Sequence, residues 1–249
     1  MNEIHESNRV YWNTLANEWA KRTDERGLWD QCLRDPTLVL SPGEMRHLGD
    51  VDGKNVCVLG SGDNEVVFAL AGMGARVTSV DISEAQIKIA AQRAETLRLE
   101  ITFLRADVTK LDELGDDTFE VVYTGGHVSV WVSDLQRFYA EAVRILKPKG
   151  LFIVNEYHPF RRMWHDEADD LALYYGYFER GPFEVTSSGG LSQYEYHWTV
   201  SDHLQAVLEA GCELLVVAEH GQGFDEWRKI DLRRLPEYIL IVGRKYPAG

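Results

Sequence analysis

The sequence predicts an α/β fold built on a doubly wound, seven-stranded sheet with an antiparallel last strand. Short apolar runs alternate with helical patterns from Asn55 onward, which is typical of parallel strands joined by helical crossovers. The first apolar run stops at the glycine turn Gly60-Ser61-Gly62, and the second ends at the carboxylate of Asp81. Strand, glycine turn, helix, strand and acid, in that order, indicate a nucleoside-binding βαβ unit.

The individual elements follow from the spacing of apolar residues. Helical spacing predicts helices over 2–22, 64–73, 84–97, 110–114, 133–146 and 201–210. Apolar runs predict strands over 55–59, 76–80, 100–104, 119–123, 151–156, about 212–218 and about 237–244. The last two strands follow each other too closely for a helical crossover, so we expect them to form an antiparallel pair.

The charge and the cysteines argue against several classes of protein. The formal net charge is −14, so free nucleic acid and anionic membranes would be repelled at long range. Cys32, Cys57 and Cys212 are far apart without metal-ligand spacing, so we expect reduced thiols, no metal site and a cytoplasmic location. The amino terminus is polar and acidic and no apolar run could span a bilayer, so we expect no signal peptide and no membrane partner. The oligomeric state cannot be predicted from these features.

The glycine turn belongs to the first of five motifs that form a longer pattern along the chain. They are Val56-Cys57-Val58-Leu59-Gly60-Ser61-Gly62-Asp63-Asn64, Asp81-Ile82-Ser83, Phe103-Leu104-Arg105-Ala106-Asp107-Val108, Asp117-Thr118-Phe119-Glu120-Val121-Val122-Tyr123 and Arg144-Ile145-Leu146-Lys147-Pro148-Lys149-Gly150. Together they resemble the class I S-adenosylmethionine-dependent methyltransferases, in their small-molecule, type 11 branch. The resemblance implies a Rossmann-like fold and S-adenosyl-L-methionine as cofactor, with S-adenosyl-L-homocysteine as product. Two positions depart from the family pattern, since Val58 replaces the usual acid and Asn64 the third glycine.

The resemblance also implies which residues bind the cofactor. Asp81 would bind the ribose hydroxyls and Asp107 the adenine amino group, while an aromatic residue of an N-terminal helical cap would lie near the cofactor carboxylate. The implied set is Tyr11, Trp19, Gly60, Ser61, Gly62, Asn64, Asp81, Ile82, Asp107, Val108 and Thr124.

Candidates for the acceptor chemistry follow the fourth and fifth strands. His127 is a candidate general base, and Glu156 and His158 are its rivals. Aromatic side chains that could bind an acceptor are Tyr157, Tyr196, His197 and Trp198. These residues also have a purely structural interpretation. A histidine could be a loop residue that bonds to the backbone, and the aromatic side chains could belong to a lid that packs on the core.

We expect a single domain over residues 1–249. Its first helix has Val10, Tyr11, Leu15 and Trp19 on one face. After the fifth strand the alternation gives way to an aromatic stretch with a hairpin turn at Gly189-Gly190. The expected parts are an N-terminal helical cap (1–50), a cofactor-binding core (51–156), an aromatic lid insertion (157–200) and a C-terminal helix with strands six and seven (201–249).

The predicted function is methylation of a small-molecule acceptor by in-line displacement at the carboxyl ends of the strands. An aromatic insertion in an acidic protein favours a neutral, aromatic or cationic acceptor over nucleic acid. A nicotinamide-dependent oxidoreductase is one alternative, but Glu65 would then face an anionic pyrophosphate. The other alternative is a non-catalytic binding protein, in which the departures at Val58 and Asn64 reflect a degraded cofactor site.

Overall fold

A seven-stranded sheet forms the centre of the computed structural model of the protein, which describes residues 2–62, 65–164, 170, 172–186, 190–221 and 235–247. The strands in this described part are β1 (Asn55–Leu59), β2 (Arg76–Asp81), β3 (Thr102–Arg105), β4 (Phe119–Gly125), β5 (Leu146–Tyr157), β6 (Phe183–Thr186), β7 (Ser192–Glu195), β8 (Cys212–His220) and β9 (Tyr238–Lys245). The large sheet has the order β3-β2-β1-β4-β5-β9-β8, and β6 and β7 form a separate hairpin.

The direction of the strands confirms the predicted topology. β1 pairs in parallel with β2 and β4, and β4 pairs in parallel with β5. The last strand, β9, lies between β5 and β8 and is antiparallel to both. Both faces of β1 are covered, which explains why it reads as one continuous apolar run rather than as an alternating one.

Helices cover both faces of the sheet. They are α1 (Glu3–Arg26), α2 (Leu28–Gln31), α3 (Pro42–Leu48), α4 (Glu65–Gly72), α5 (Glu84–Leu97), α6 (Leu135–Ile145) and α7 (Val200–Glu209). Side chains cap several N-termini: Ser83 accepts from the Gln86 amide at 3.2 Å, and Asp134 accepts from the Arg137 amide at 2.8 Å. Along the described stretches, every helix is too short or too polar to cross a bilayer.

The short helix predicted over 110–114 is wrong, because the segment forms turns instead. The Leu111 amide donates to the Glu141 carboxylate at 2.9 Å. Leu114 closes a tight turn on the Leu111 carbonyl, also at 2.9 Å. The Leu114 amide thus bonds three residues back along the chain, and not to Lys110 as one turn of α-helix would require.

The first helix is buried through polar side chains rather than through an apolar face. The buried residues of α1 are His5, Asn8, Ala16 and Thr23. Val10 and Trp19, which the sequence placed on the apolar face, are 37% and 40% exposed. The spacing of apolar residues therefore failed to identify the side chains that attach this helix.

The hairpin of β6 and β7 lies against α1, in the segment predicted as a lid. Asn8 pairs with Tyr194 as a neighbouring strand would: its Nδ2 donates to the Tyr194 carbonyl at 2.9 Å, and its Oδ1 accepts from the Tyr194 amide at 2.8 Å. Ser7 donates to the Ser192 carbonyl at 2.6 Å. Of the predicted hairpin turn, Gly189 lies outside the described residues.

We predict that Gly72→Ala destabilises the protein although alanine favours helices by about 1 kcal/mol. A side-chain carbon at Gly72 would overlap the carbonyl oxygen of Leu33 and lie 2.9 Å from its carbonyl carbon. Urea unfolding should show a loss of about 1–3 kcal/mol, since backbone must move to relieve the overlap. In the control Gly115→Ala, the nearest atom is the Thr118 hydroxyl at 3.3 Å, so a smaller change is expected. A Gly72 variant as stable as wild type would contradict this packing.

Candidate active site

A cavity of about 1260 Å³ opens at the carboxyl ends of β1, β2, β4 and β5. Helix α1 covers one side of it through His5, Tyr11, Trp12 and Trp19. Ligands of open α/β sheets bind at this end of the strands, where the chain turns from strand to helix. The volume exceeds the roughly 300–1,000 Å³ of common small-molecule sites, so two ligands can lie side by side.

The glycine turn after β1 and the acid at the end of β2 form one corner of this cavity. Gly60 and Gly62 have φ angles of 66° and 49°, which favour glycine. Asp81 accepts from the Gly62 amide at 2.7 Å and from the Ser83 amide at 2.8 Å. The carboxylate therefore fixes the turn and the start of α5 while it faces the cavity.

Gln86 is a further residue of this corner. It is 3% exposed, and its Oε1 has no hydrogen-bond partner among the described residues. A carbon placed on Gly62 would lie 3.9 Å from this oxygen and 3.9 Å from the Asp81 carboxylate. Sequence reasoning missed Gln86, because a glutamine in the first turn of a helix is ordinarily a solvated side chain.

The Asp107 carboxylate lines the cavity beside Ile82 and Val108. Asp107 accepts from Thr109 at 2.7 and 3.0 Å and contacts the His5 imidazole at 2.7 Å. Burial acts to raise the pKa of Asp107, but the hydrogen bonds from His5 and Thr109 outweigh it and lower that pKa below its usual value.

The other implied cofactor residues have different positions. Ser61 is buried against Ser79 and lines the cavity, and Tyr11 and Trp19 line it from α1. The Thr124 hydroxyl instead donates to the Leu59 carbonyl at 3.1 Å and is fully buried between β1 and β4. Asn64 lies outside the described residues.

His127 faces the cavity from the segment after β4. Its ring meets Tyr157 and Trp131 edge-on, with centroids 5.1 and 5.9 Å away. Its Nε2 is buried and has no hydrogen-bond partner among the described residues. Burial, together with the charges of Arg162 and Arg161, lowers the pKa of His127 well below its usual value. The imidazole is therefore neutral at physiological pH.

Glu156 and His158, the rival candidates for the base, both accept hydrogen bonds from backbone amides. Glu156 is 1% exposed and accepts from the Val128 and Ser129 amides, each at 3.1 Å. His158 contacts the Glu219 carboxylate at 2.8 Å and accepts from the Phe160 amide at 3.2 Å. Neither side chain is among the described residues that line the cavity.

Aromatic side chains form a continuous wall along the cavity. Trp12 meets Trp131 edge-on at 5.3 Å, and Tyr157 stacks on Tyr238 at 5.0 Å. The guanidinium of Arg161 lies 3.9 Å from the centroid of the Tyr157 ring. We call Trp12, Trp131, His127 and Tyr157 the aromatic wall. Sequence reasoning missed the two tryptophans, because no motif connects them.

The remaining predicted acceptor residues pack behind this wall. Tyr196 and Trp198 stack on each other at 5.7 Å, and the Trp198 indole donates to the Ser129 carbonyl at 3.1 Å. His197 stacks on Phe183 at 4.2 Å. Of the four residues predicted to bind an acceptor, Tyr157 alone is among the described cavity residues.

Comparisons with known proteins agree with this geometry. Residues 57–154 match a family described as a methyltransferase domain. A demethylmenaquinone methyltransferase of Tropheryma whipplei (strain Twist) is 30% identical over 159 residues, 64% of this chain and 64% of that protein. A ubiquinone biosynthesis O-methyltransferase of Maricaulis maris (strain MCS10) is 33% identical over 102 residues, 41% of this chain and 40% of that protein. The chain thus spans less than two thirds of the length of these relatives.

A solved structure extends the similarity to most of the chain. It is an S-adenosylmethionine-dependent methyltransferase of Mesorhizobium loti with a TM-score of 0.63 and 25% identity, covering 82% of this chain and 96% of that one. Its fold, the family match and the order of the seven strands agree. Residues 57–154 therefore match the methyltransferase domain family, and the chain as a whole has the fold of the S-adenosylmethionine-dependent methyltransferases to which it is similar.

Proposed function

We propose that this chain transfers a methyl group from S-adenosylmethionine to a small-molecule acceptor. One observation carries the proposal. A single cavity contains both the corner of Asp81 and Gln86 and the buried Nε2 of His127, which has no hydrogen-bond partner in the described part of the chain. The corner suits a nucleoside, and the imidazole suits a group that loses a proton. A cytoplasmic location, a single-domain organisation and the absence of nucleic-acid partners remain predictions.

The residues of the corner fit the nucleoside part of the cofactor. Asp81 supplies carboxylate oxygens, and Gln86 supplies a buried oxygen that can accept a ribose hydroxyl proton. Ile82 and Val108 provide apolar surface for the adenine ring. When bound, S-adenosylmethionine supplies an activated methyl group on a sulfonium, so the protein has to orient the reactants and exclude water.

The aromatic wall supports a flat aromatic acceptor. Its rings offer faces and edges against which another ring can pack. The matched relatives are named for ubiquinone and demethylmenaquinone, and each name points to an aromatic or quinonoid substrate of that protein. We propose an acceptor with a hydroxyl on an aromatic ring, methylated in line.

His127 would remove the proton from such a hydroxyl. The imidazole is uncharged, because its pKa lies well below the usual value, so one ring nitrogen holds a lone pair; in the tautomer with the proton on Nδ1, this nitrogen is Nε2. Arg161 and Arg162 line the same cavity, and their positive charge favours the ionised form of an acceptor hydroxyl. Glu156 is the weaker candidate, since its oxygen already accepts two backbone amides.

We predict that wild-type protein binds S-adenosylhomocysteine and that Asp81→Ala weakens this binding tenfold or more, since a charged hydrogen bond contributes about 1.5–3 kcal/mol. Titration calorimetry gives the affinities. Asp81→Asn is the second variant, because it retains an acceptor for the Gly62 amide, and Glu113→Ala is the control on an exposed acid.

The outcomes of this titration separate the alternatives. Binding of a nicotinamide dinucleotide but not of S-adenosylhomocysteine would indicate an oxidoreductase. Binding without turnover of any phenol, catechol or quinol would indicate a non-catalytic binding protein.

We predict that His127→Ala lowers kcat about 100-fold or more, as expected for loss of a general base, and leaves the affinity for S-adenosylhomocysteine unchanged. Formation of S-adenosylhomocysteine with a panel of phenols and catechols measures kcat. The wild-type profile should show no histidine inflection between about pH 6 and about pH 8, because His127 stays neutral there. An unchanged kcat in the variant would exclude His127 as the base.

We predict that Glu156→Gln flattens the pH dependence of stability. Burial raises the pKa of Glu156 to about 7, above the value of about 4.3 in an unfolded chain. The folded state therefore holds a proton that the unfolded state has lost. This stabilisation is complete below the unfolded pKa and disappears as the pH rises through about 7.

Between about pH 6 and about pH 8, wild type should lose about 1 kcal/mol more than Glu156→Gln in urea unfolding. Glu113→Gln, on an exposed acid, should behave like wild type. Equal pH dependence in wild type and Glu156→Gln would show that Glu156 is charged throughout this range. A loss of turnover at unchanged stability would instead make Glu156 the base.

A further inference from the structure

We propose that His5 is a positioning residue, which orients the Asp107 carboxylate for the adenine end of the cofactor and ties the first helix to the cofactor site. The proposal rests on the proposed function, because it concerns the same cofactor. His5 belongs to none of the motifs that predicted the site. Its position in the first turn of α1 is more than 100 residues from its partners in the sequence.

The contacts of His5 place it between two elements of the site. Its Nδ1 lies 2.7 Å from Oδ2 of Asp107, which follows β3. Its Nε2 lies 2.9 Å from the Ser133 amide nitrogen and 2.9 Å from the Ser133 hydroxyl, just before α6. His5 is 3% exposed and Asp107 is 7% exposed, so solvent screens these contacts little.

These partners fix the tautomer of the imidazole. A backbone amide can only donate, so Nε2 of His5 must accept from Ser133 and cannot carry a proton. The proton of the neutral ring therefore lies on Nδ1 and is donated to Asp107. His5 thus donates to the Asp107 carboxylate and accepts from the Ser133 backbone, two contacts of opposite polarity.

The hydrogen bonds of Asp107 can be counted in the same way, to find which acceptor sites of its carboxylate are still free. A carboxylate has about four acceptor sites. The Thr109 amide and hydroxyl donate to Oδ1, at 3.0 and 2.7 Å, and His5 takes one site on Oδ2. One acceptor site remains, on Oδ2, in a carboxylate whose rotation three hydrogen bonds prevent. That site suits a single N–H donor such as the exocyclic amino group of adenine.

The attachment of α1 gives this contact a second effect. The helix that carries His5 also carries Tyr11 and Trp12 into the cavity. Through His5, the position of these aromatic side chains depends on the acid that we assign to adenine recognition. The orientation of Asp107 and the position of α1 over the cavity therefore both depend on His5.

Two substitutions separate the two bonds of His5. The amide nitrogen of asparagine is as many bonds from the backbone as Nδ1, so His5→Asn retains a donor for Asp107 and loses the acceptor for Ser133. The amide oxygen of glutamine matches Nε2, so His5→Gln retains the acceptor for Ser133 and loses the donor for Asp107. Asn8→Ala is the control, because the Asn8 side chain bonds to the Trp131 and Tyr194 backbone and so attaches α1 away from Asp107.

The measurement is the ratio of affinities for S-adenosylhomocysteine and S-inosylhomocysteine, in which an oxo group replaces the adenine amino group. Calorimetry on the full chain gives both affinities, and thermal unfolding gives stability. We expect His5→Gln to reduce the ratio about tenfold, the effect of one charge-assisted hydrogen bond. His5→Asn should retain the wild-type ratio, and Asn8→Ala should lower the melting temperature without changing the ratio.

Three results would overturn the inference. One is an unchanged ratio in His5→Gln, which would make His5 purely structural. Another is an equal fall in the ratio in His5→Asn and His5→Gln, and a third is the same fall in Asn8→Ala. If wild type binds neither ligand, the proposed function itself fails, and that result is distinct from binding with an unchanged ratio.

Discussion

The whole site depends on the parallel pairing of β2, β1, β4 and β5, whose carboxyl ends meet at one edge of the sheet. Both faces of these strands are covered by helices, so their middles are mainly apolar, with Thr78 and Ser79 of β2 as exceptions. The charged side chains of the site therefore lie at the strand ends. Asp81, Asp107 and His127 come together there from the segments that follow β2, β3 and β4.

The first helix, α1, covers this edge of the sheet and is held there by hydrogen bonds rather than by apolar packing. Its attachment relies on hydrogen bonds of His5, Asn8 and Asn13 rather than on a stripe of apolar side chains. Asn13 accepts from the Ser83 hydroxyl and the Ala85 amide at the start of α5, so α1 touches the element that follows Asp81. Directional bonds fix its register over the cavity, where an apolar face would allow it to slide.

The sheet and the glycine corner could be predicted because their signals are local. An apolar run predicts a strand, and Gly60 and Gly62 predict a tight turn, from the residues of the segment itself. The failures arise from contacts distant in sequence. Glu141 accepts from the Leu111 amide, 30 residues away, in the segment where a helix was predicted, and the aromatic wall combines Trp12 with Trp131. A strand-end acid such as Glu156 is a reasonable candidate base, but only the fold shows its oxygen facing the Val128 amide.

The aromatic wall also makes the cavity optically visible. Among the described residues, Trp12, Trp19 and Trp131 line the cavity. Indole emission responds to the polarity of its surroundings and to stacking by another ring. A ligand entering this space changes the surroundings of these three indoles at once. The protein therefore carries an intrinsic fluorescent reporter of occupancy, which works without a label and for any acceptor.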